Sequence, residues 1–303
     1  MGAILGINCA KDKRHLGVEN CRVNPGQKKG HIRVPKGWSF EVKGTLDFDK
    51  AYVNNQIHLG IFELVVGAFS TITEGGENKF QTSPTGEMSL SQRALPVVKT
   101  TVQKGYEFHA SIYESSGYGN YDILEVYESG VISGIASKDS KTLYGHDCGM
   151  YDVDTFKNTD GTNSDSTMIQ YQLVNPMEYN TQQVFLTDLD FSINRDFYNI
   201  LDVELTARAD VSENKIYVKT AWARNTSLPI LGFSSADFGL VNGDPIVGVT
   251  PYINGEYVIT PTTPLTLASR PSVKLRSVTP VVDVAKVGNR FYFGKSDEIV
   301  PVA

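Results

Sequence analysis

Apolar residues in this chain fall into short runs that are rich in β-branched and aromatic side chains and are closed off every few residues by Gly, Pro, Asn or Asp. Ile32-Arg33-Val34, Ser39 to Val42, Val97 to Val102, Tyr106 to Ile112, Ile123 to Tyr127 and Ile216-Tyr217-Val218 are of this kind. Runs of that length and composition are strands, and no segment sustains a long helical period. The pattern therefore predicts an all-β protein, an antiparallel sandwich or barrel. Within Tyr106 to Ile112 strict alternation places Tyr106, Phe108, Ala110 and Ile112 on one face and Glu107, His109 and Ser111 on the other, as in a strand with one dry and one wet side. Helices are expected only as short pieces, around Lys50–Ile61, Leu90–Leu95 and Asn194–Leu201. Residues 78–96 are polar and turn-rich, with Ser83-Pro84-Thr85-Gly86. A connection that long inside a compact domain usually carries function.

A chain of 303 residues corresponds to about two domains at roughly 150 residues each. The break is expected near Leu201, dividing residues 1–201 from 202–303. Beyond it strand signals recur about every 8–12 residues, as in a small β-sandwich. Val247 to Thr260 reads as a hairpin closed at Asn254-Gly255, because both central residues of a type I′ turn need positive φ. Ser272 to Leu275 continues the sheet.

The net charge of −6 and pI near 5.4 argue against whole-molecule attraction to nucleic acid or anionic membrane. That average conceals a gradient. Residues 1–50 carry 10 Lys and Arg against 5 Asp and Glu, residues 51–200 carry 8 against 19, and residues 201–303 carry 10 of each. A basic start is followed by a strongly acidic middle and a neutral end.

The first residues have no basic stretch ahead of an apolar one, so no signal peptide is expected, and Gly6 stands where a myristoylation signal has Ser or Thr. No apolar run approaches the ~18 residues that span a bilayer. Cys9, Cys21 and Cys148 are read as free thilols of a reducing compartment, since an odd cysteine count does not suit a disulfide framework. No Walker loop, dinucleotide fingerprint, zinc-protease helix or nucleophile elbow is present. His146 and Cys148 would share a face only on an extended chain, and Gly145 and Gly149 suggest a turn there. Asp152, Asp154, Asp160 and Asp165 lack the spacing of a calcium loop, and His15, His31, His58 and His109 lack ligand spacing. The chain is expected not to be an enzyme and to need no cofactor or metal. Tyr118, Tyr121, Tyr127, Tyr144 and Trp222 leave open a carbohydrate-binding adhesin, although strands enrich such residues for packing alone.

Two resemblances sharpen this reading. Asp237-Phe238 with Leu240-Val241-Asn242-Gly243, followed by the hairpin through Asn254-Gly255-Glu256-Tyr257-Val258-Ile259, resembles the bacterial immunoglobulin-like domains appended to phage structural proteins and cell-surface adhesins. The order of parts before it resembles the major tail (tail tube) proteins of tailed bacteriophages of Bacteroidota hosts. Those parts are an N-terminal arm (1–50), a long hairpin loop (78–96), Tyr106-Glu107-Phe108, Tyr121 to Val126, a Gly130–Gly134 turn, and late strands at Ile169–Leu173 and Val184–Leu189. Such proteins usually carry a helix between the strands read here at 106–113 and 121–127, where only Glu114 to Asn120 is available.

The resemblance implies a homo-oligomeric ring, usually hexameric, stacked into a tube through which DNA passes. It also implies other virion proteins as partners, a place in the virion tail after synthesis in the host cytoplasm, and no membrane anchor. A wall that passes DNA must not hold it, because basic residues there would exchange condensed counterions for the polyanion. Glu107 and Glu125 are the lumen-facing candidates, and Lys11, Lys13, Arg14, Lys28 and Lys29 are candidates for an arm that docks on an acidic surface of the adjacent subunit. A capsid decoration or head–tail completion protein is the alternative within the same class.

Overall fold

Strand-rich segments account for 51% of the chain and helices for 11% in a computed structural model, which describes residues 3–4, 25–41, 48–92, 94–118, 120–137, 142–159, 164–187, 189–223, 225–251 and 254–302. The protein is predominantly β, with several antiparallel sheets. It divides into two compact units, one of residues 1–54 and 61–197 and the other of residues 55–60 and 198–303. The break near Leu201 thus falls between Phe197 and Tyr198.

The first unit runs β1 (Ala3–Ile4), β2 (Lys28–Pro35), β3 (Ser39–Glu41), the first half of α1 (Lys50–His58, whose residues from Asn55 onward belong to the second unit), β4 (Glu63–Val66), β5 (Ala68–Gly75), β6 (Lys79–Thr82), β7 (Met88–Gln92) and β8 (Pro96–Val102). It continues with α2 (Gly105–Tyr113), β9 (Gly117–Tyr118), β10 (Tyr121–Tyr127), β11 (Ile132–Ala136), β12 (Thr142–Tyr144), β13 (His146–Val153) and β14 (Thr167–Leu173). Helix α3 (Pro176–Thr181), β15 (Gln183–Thr187) and α4 (Ile193–Asp196) complete it. One long sheet takes the order β1-β15-β11-β10-β13-β14-β8-β5, with β2 laid along the whole of β10. Strands β8 and β14 alternate buried and half-buried residues as a sheet with one dry face must. Strand β10 instead buries six consecutive residues from Asp122 to Tyr127, because both of its faces are covered. Val98, Val102, Ile123, Tyr151, Ile169 and Tyr171 form the core on one side, and Phe40, Phe48, Tyr52 and Phe62 stack edge-on or tilted in a separate aromatic cluster.

The segment read as a strand at 106–112 is helix α2. Phe108, His109 and Ile112, three and four residues apart, give it a helical inner face, and Phe108 and Ile112 pack on the core that holds Tyr151 and Leu173. Glu107 lies in the first turn, where a carboxylate complements the helix dipole. The same residues satisfy a period of 2 and a period near 3.6, and tertiary packing decides between them. Leu90 falls in β7, not in a helix, whereas α1 lies inside the span expected to be helical and α4 is a single turn. The late strands at 167–173 and 183–187 do not pair with each other: β14 joins β13 and β8, and β15 joins β11 and β1.

The second unit contains β16 (Ile200–Asp210), β17 (Lys215–Trp222), β18 (Asn225–Pro229), β19 (Phe238–Leu240), β20 (Ile246–Pro251) and β21 (Glu256–Pro261). Strands β22 (Val273–Leu275), β23 (Ser277–Val278), β24 (Val281–Val282), β25 (Ala285–Val287) and β26 (Arg290–Phe293) follow. The main sheet runs β20-β21-β17-β16-β26-β25, antiparallel except for the β16–β26 pair. The pair β19–β22 supplies Phe238, Leu240, Val273 and Leu275 to the core that Leu205, Val218 and Ile259 enter from the main sheet. The expected turn is present, with Asn254 at φ 49° and Gly255 at φ 81° between β20 and β21. A Cβ on Gly255 would lie 2.7 Å from the Pro229 side chain and 3.0 Å from the Thr220 carbonyl oxygen.

Candidate functional site

Glu125 sits at the centre of β10, with 0% of its side chain exposed, and Lys28, at 14%, approaches it from the start of β2. The lysine Nζ donates to Glu125 Oε1 at 2.6 Å and to Tyr179 Oη at 3.3 Å. Tyr127 donates to Glu125 Oε2 at 2.9 Å and Tyr171 to Oε1 at 3.3 Å. Burial alone would push the Glu125 carboxyl up, but Lys28, the nearby His146 and the Tyr127 hydroxyl hold it below its ordinary value. Burial opposes the charge of Lys28 as well, and Glu125 and Tyr179 outweigh it, raising the ammonium. The pair is ionised, and its remaining valences are met by phenols, the condition under which a buried ion pair is tolerated.

This geometry corrects the lumen assignment of Glu125. Paired with β2 on one side and with β11 and β13 on the other, β10 is a central strand without a wet face, so Glu125 lines no channel. Lys28 likewise is not on a free arm, because it is the counterion of Glu125. Lys29 lies beside it, half-buried, with Nζ 3.5 Å from Gln27 Oε1. Lys11, Lys13 and Arg14 lie outside the described residues. Glu107 is exposed on α2, so the structure does not bring the two carboxylates together.

Next to the ion pair, His146 Nε2 is 3.2 Å from Ser133 Oγ, to which Gln183 Nε2 donates at 2.8 Å. Burial, reinforced by Lys28 and opposed by Glu125, lowers the imidazole to about 4. His31 is buried on β2 with Nε2 2.9 Å from Tyr151 Oη, and burial together with Arg33 lowers it to about 3. His146 and Cys148 do lie on one extended strand, contrary to the turn expected there, but both are sealed from solvent. Burial pushes the Cys148 thiol up to about 11, and Sγ donates to the Met150 carbonyl. Asp152 and Asp154 share Gln170 Nε2 as donor, at 3.2 and 3.3 Å. Among the described residues no group of three or more His, Cys, Asp or Glu is placed to hold a metal ion. Of the aromatic residues weighed as sugar platforms, Tyr127 is buried on Glu125, Tyr121 meets Tyr151 edge-on with the Arg33 guanidinium over its ring, and Trp222 packs with the core of the second unit.

The surface with an unmet physical demand is the hairpin from β5 to β8. Strand β5 pairs with β8 from Ala68–Val102 to Gly75–Pro96, and β6 pairs with β7 beyond them as a two-stranded tip. Phe69 is 69% exposed, Phe80 57% and Met88 69%, with Ile72 and Leu90 exposed beside them. Among the described residues β5 pairs only with β8, which leaves its outer edge open. The turn at the tip is well formed, with Ser83 Oγ accepting from the Glu87 amide at 3.1 Å and the Gly86 amide donating to the Ser83 carbonyl. Within residues 78–96, read from sequence as a long hairpin loop, β6 and β7 thus form a two-stranded ribbon with Phe80, Met88 and Leu90 in water. Comparison of the chain with known family models, curated proteins and solved structures finds no match.

Proposed function

We propose that this chain is a structural, self-assembling virion protein, the subunit of stacked rings that form a bacteriophage tail tube. The observation that carries the reading is the hairpin of β5 to β8. A two-stranded ribbon with both faces in water has little stability of its own, and its exposed phenylalanines, leucine and methionine gain only if another surface covers them. The open edge of β5 offers main-chain donors and acceptors to a further strand. A head-to-tail contact of this kind between identical subunits closes into a ring when the rotation permits. On this reading Glu107 remains a candidate for a DNA-repelling wall, and Glu125 supports the subunit from within.

Negative-stain microscopy of the purified chain tests the proposal. Rings or tubes are expected, and Phe80→Asp with Leu90→Asp is expected to abolish them while leaving the circular dichroism of the folded subunit intact. A wild-type chain that stays monomeric at high concentration, or a double variant that assembles normally, overturns it. Decoration of capsids without ring formation selects the alternative virion role.

A further inference from the structure

We infer that Asn254 is a site of spontaneous covalent modification, at which the side-chain amide is lost and the β20–β21 turn is rebuilt through an isoaspartyl linkage. Glycine follows asparagine at two places in the chain, Asn242-Gly243 and Asn254-Gly255. A residue without Cβ leaves its main-chain nitrogen open to the preceding side chain, so the sequence treats the two pairs alike. The fold separates them. Asn242 is clamped: its Nδ2 donates to Asp244 Oδ2 at 2.8 Å, its Oδ1 accepts from the Asp244 amide at 3.1 Å, and the Gly243 amide donates to the Leu240 carbonyl at 3.0 Å. Asn254 is exposed at the turn, with φ 49°, and among the described residues its carboxamide has no hydrogen-bond partner.

The reaction needs only solvent. Hydroxide takes the proton of the Gly255 nitrogen, which bonds to Asn254 Cγ; the bond from Cγ to the carboxamide nitrogen breaks, and ammonia departs with a proton drawn from water. Nucleophile and electrophile are tethered on adjacent residues, so no encounter has to be arranged. Water then opens the cyclic imide. Cleavage of the bond from the Gly255 nitrogen to Cγ leaves an aspartate, and cleavage of the bond to the Asn254 main-chain carbonyl carbon leaves an isoaspartate, with one more methylene in the main chain. At Asn242 the clamping hydrogen bonds must first be given up, each worth up to about tenfold in rate. The turn at Asn254 has no slack for the added methylene. The Gly255 carbonyl accepts from the Thr220 amide at 2.9 Å and from Thr220 Oγ1 at 3.1 Å, and Pro229 and Thr220 wall Gly255 in. The isoaspartyl chain therefore gives up the Thr220 anchor or the Pro251–Tyr257 pairing beside it. The inference concerns the second unit alone and does not depend on the tube proposal.

Incubation of the full chain in mildly alkaline buffer, followed by peptide mapping, tests it. The peptide holding Asn254 is expected to gain one mass unit on the order of tenfold faster than the peptide holding Asn242. In urea the two sites are expected to react at similar rates, and Asp244→Ala is expected to speed the reaction of Asn242 in the folded chain. The aged chain is expected to carry isoaspartate, detected by enzymatic methylation, and to show a lowered calorimetric transition for the second unit. Asn254→Gly, which keeps a residue suited to φ 49°, is expected to abolish both changes. Mass gain at Asn254 no faster than at Asn242 in the folded chain overturns the inference. A difference of that size that persists in urea overturns it too, because it then comes from neighbours in sequence and not from the fold. A converted chain whose second-unit transition is unchanged overturns the predicted loss of the turn's anchor.

Discussion

Acidification from pH 7 to pH 5 is expected to remove about 4 kcal/mol from the stability of the first unit. His31 and His146 are held neutral in the fold, at about 3 and about 4, by burial, with Arg33 facing the first and Lys28 and Glu125 facing the second. In the unfolded chain both titrate near 6.5. Between pH 6.5 and about 4 the unfolded state therefore binds up to two more protons than the native one. Stability rises with pH across that window and is lost on descending it, at a limiting slope of about 1.4 kcal/mol per pH unit per histidine. The Glu125 carboxyl, held below its ordinary value, adds a second loss only at lower pH, as the native state is driven through its depressed titration. Urea denaturation followed by circular dichroism at pH 7 and pH 5 reads the effect. For a typical denaturant slope of roughly 2–3 kcal/mol/M the midpoint of the first unit moves down by roughly 1.3–2 M. His146→Gln is expected to remove about half of this pH dependence, and His31→Gln the other half. An unchanged midpoint between the two pH values, or an undiminished pH dependence in the double variant, refutes the assignment of these imidazoles as buried and neutral.

Glu125→Gln leaves the Lys28 ammonium nearly buried without a counterion and is expected to cost about 3 kcal/mol in urea denaturation, while a matched apolar replacement of both partners recovers most of it. Gly30→Ala places a Cβ 2.2 Å from the Val65 carbonyl oxygen across the β2–β4 pair; on the order of 3 kcal/mol or loss of folding is expected, read by the same denaturation. Gly255→Ala forces a side chain onto φ 81° and against Pro229, and is expected to lower the transition of the second unit by roughly 1–3 kcal/mol in differential scanning calorimetry. Phe80→Ser and Leu90→Ser are expected to leave the calorimetric transition of the first unit within about 0.5 kcal/mol of wild type, because both side chains are exposed, while sedimentation velocity shows loss of assembly.

The β-class was legible in the chain because strand signals are local: short β-branched and aromatic runs bounded by turn residues, and the Asn254-Gly255 turn, each act over a few residues. The structure divides the chain between Phe197 and Tyr198 and also assigns residues 55–60 to the second unit, an assignment no local sequence pattern announces. Residues 106–113 were not legible either. Their apolar positions fit either period, and only the core of Val98, Tyr151 and Leu173 makes the helical face the buried one.

The acidic middle of the chain was a property of the sequence, but where each carboxylate points was not. Glu125 alternates with apolar neighbours and reads as a wet-face residue. It is buried because β2, 97 residues away in sequence at Lys28, crosses β10 and brings its counterion. Local pattern determines which backbone a segment prefers; which face is dry depends on what the rest of the chain lays against it, and that long-range pairing is set only by the tertiary structure.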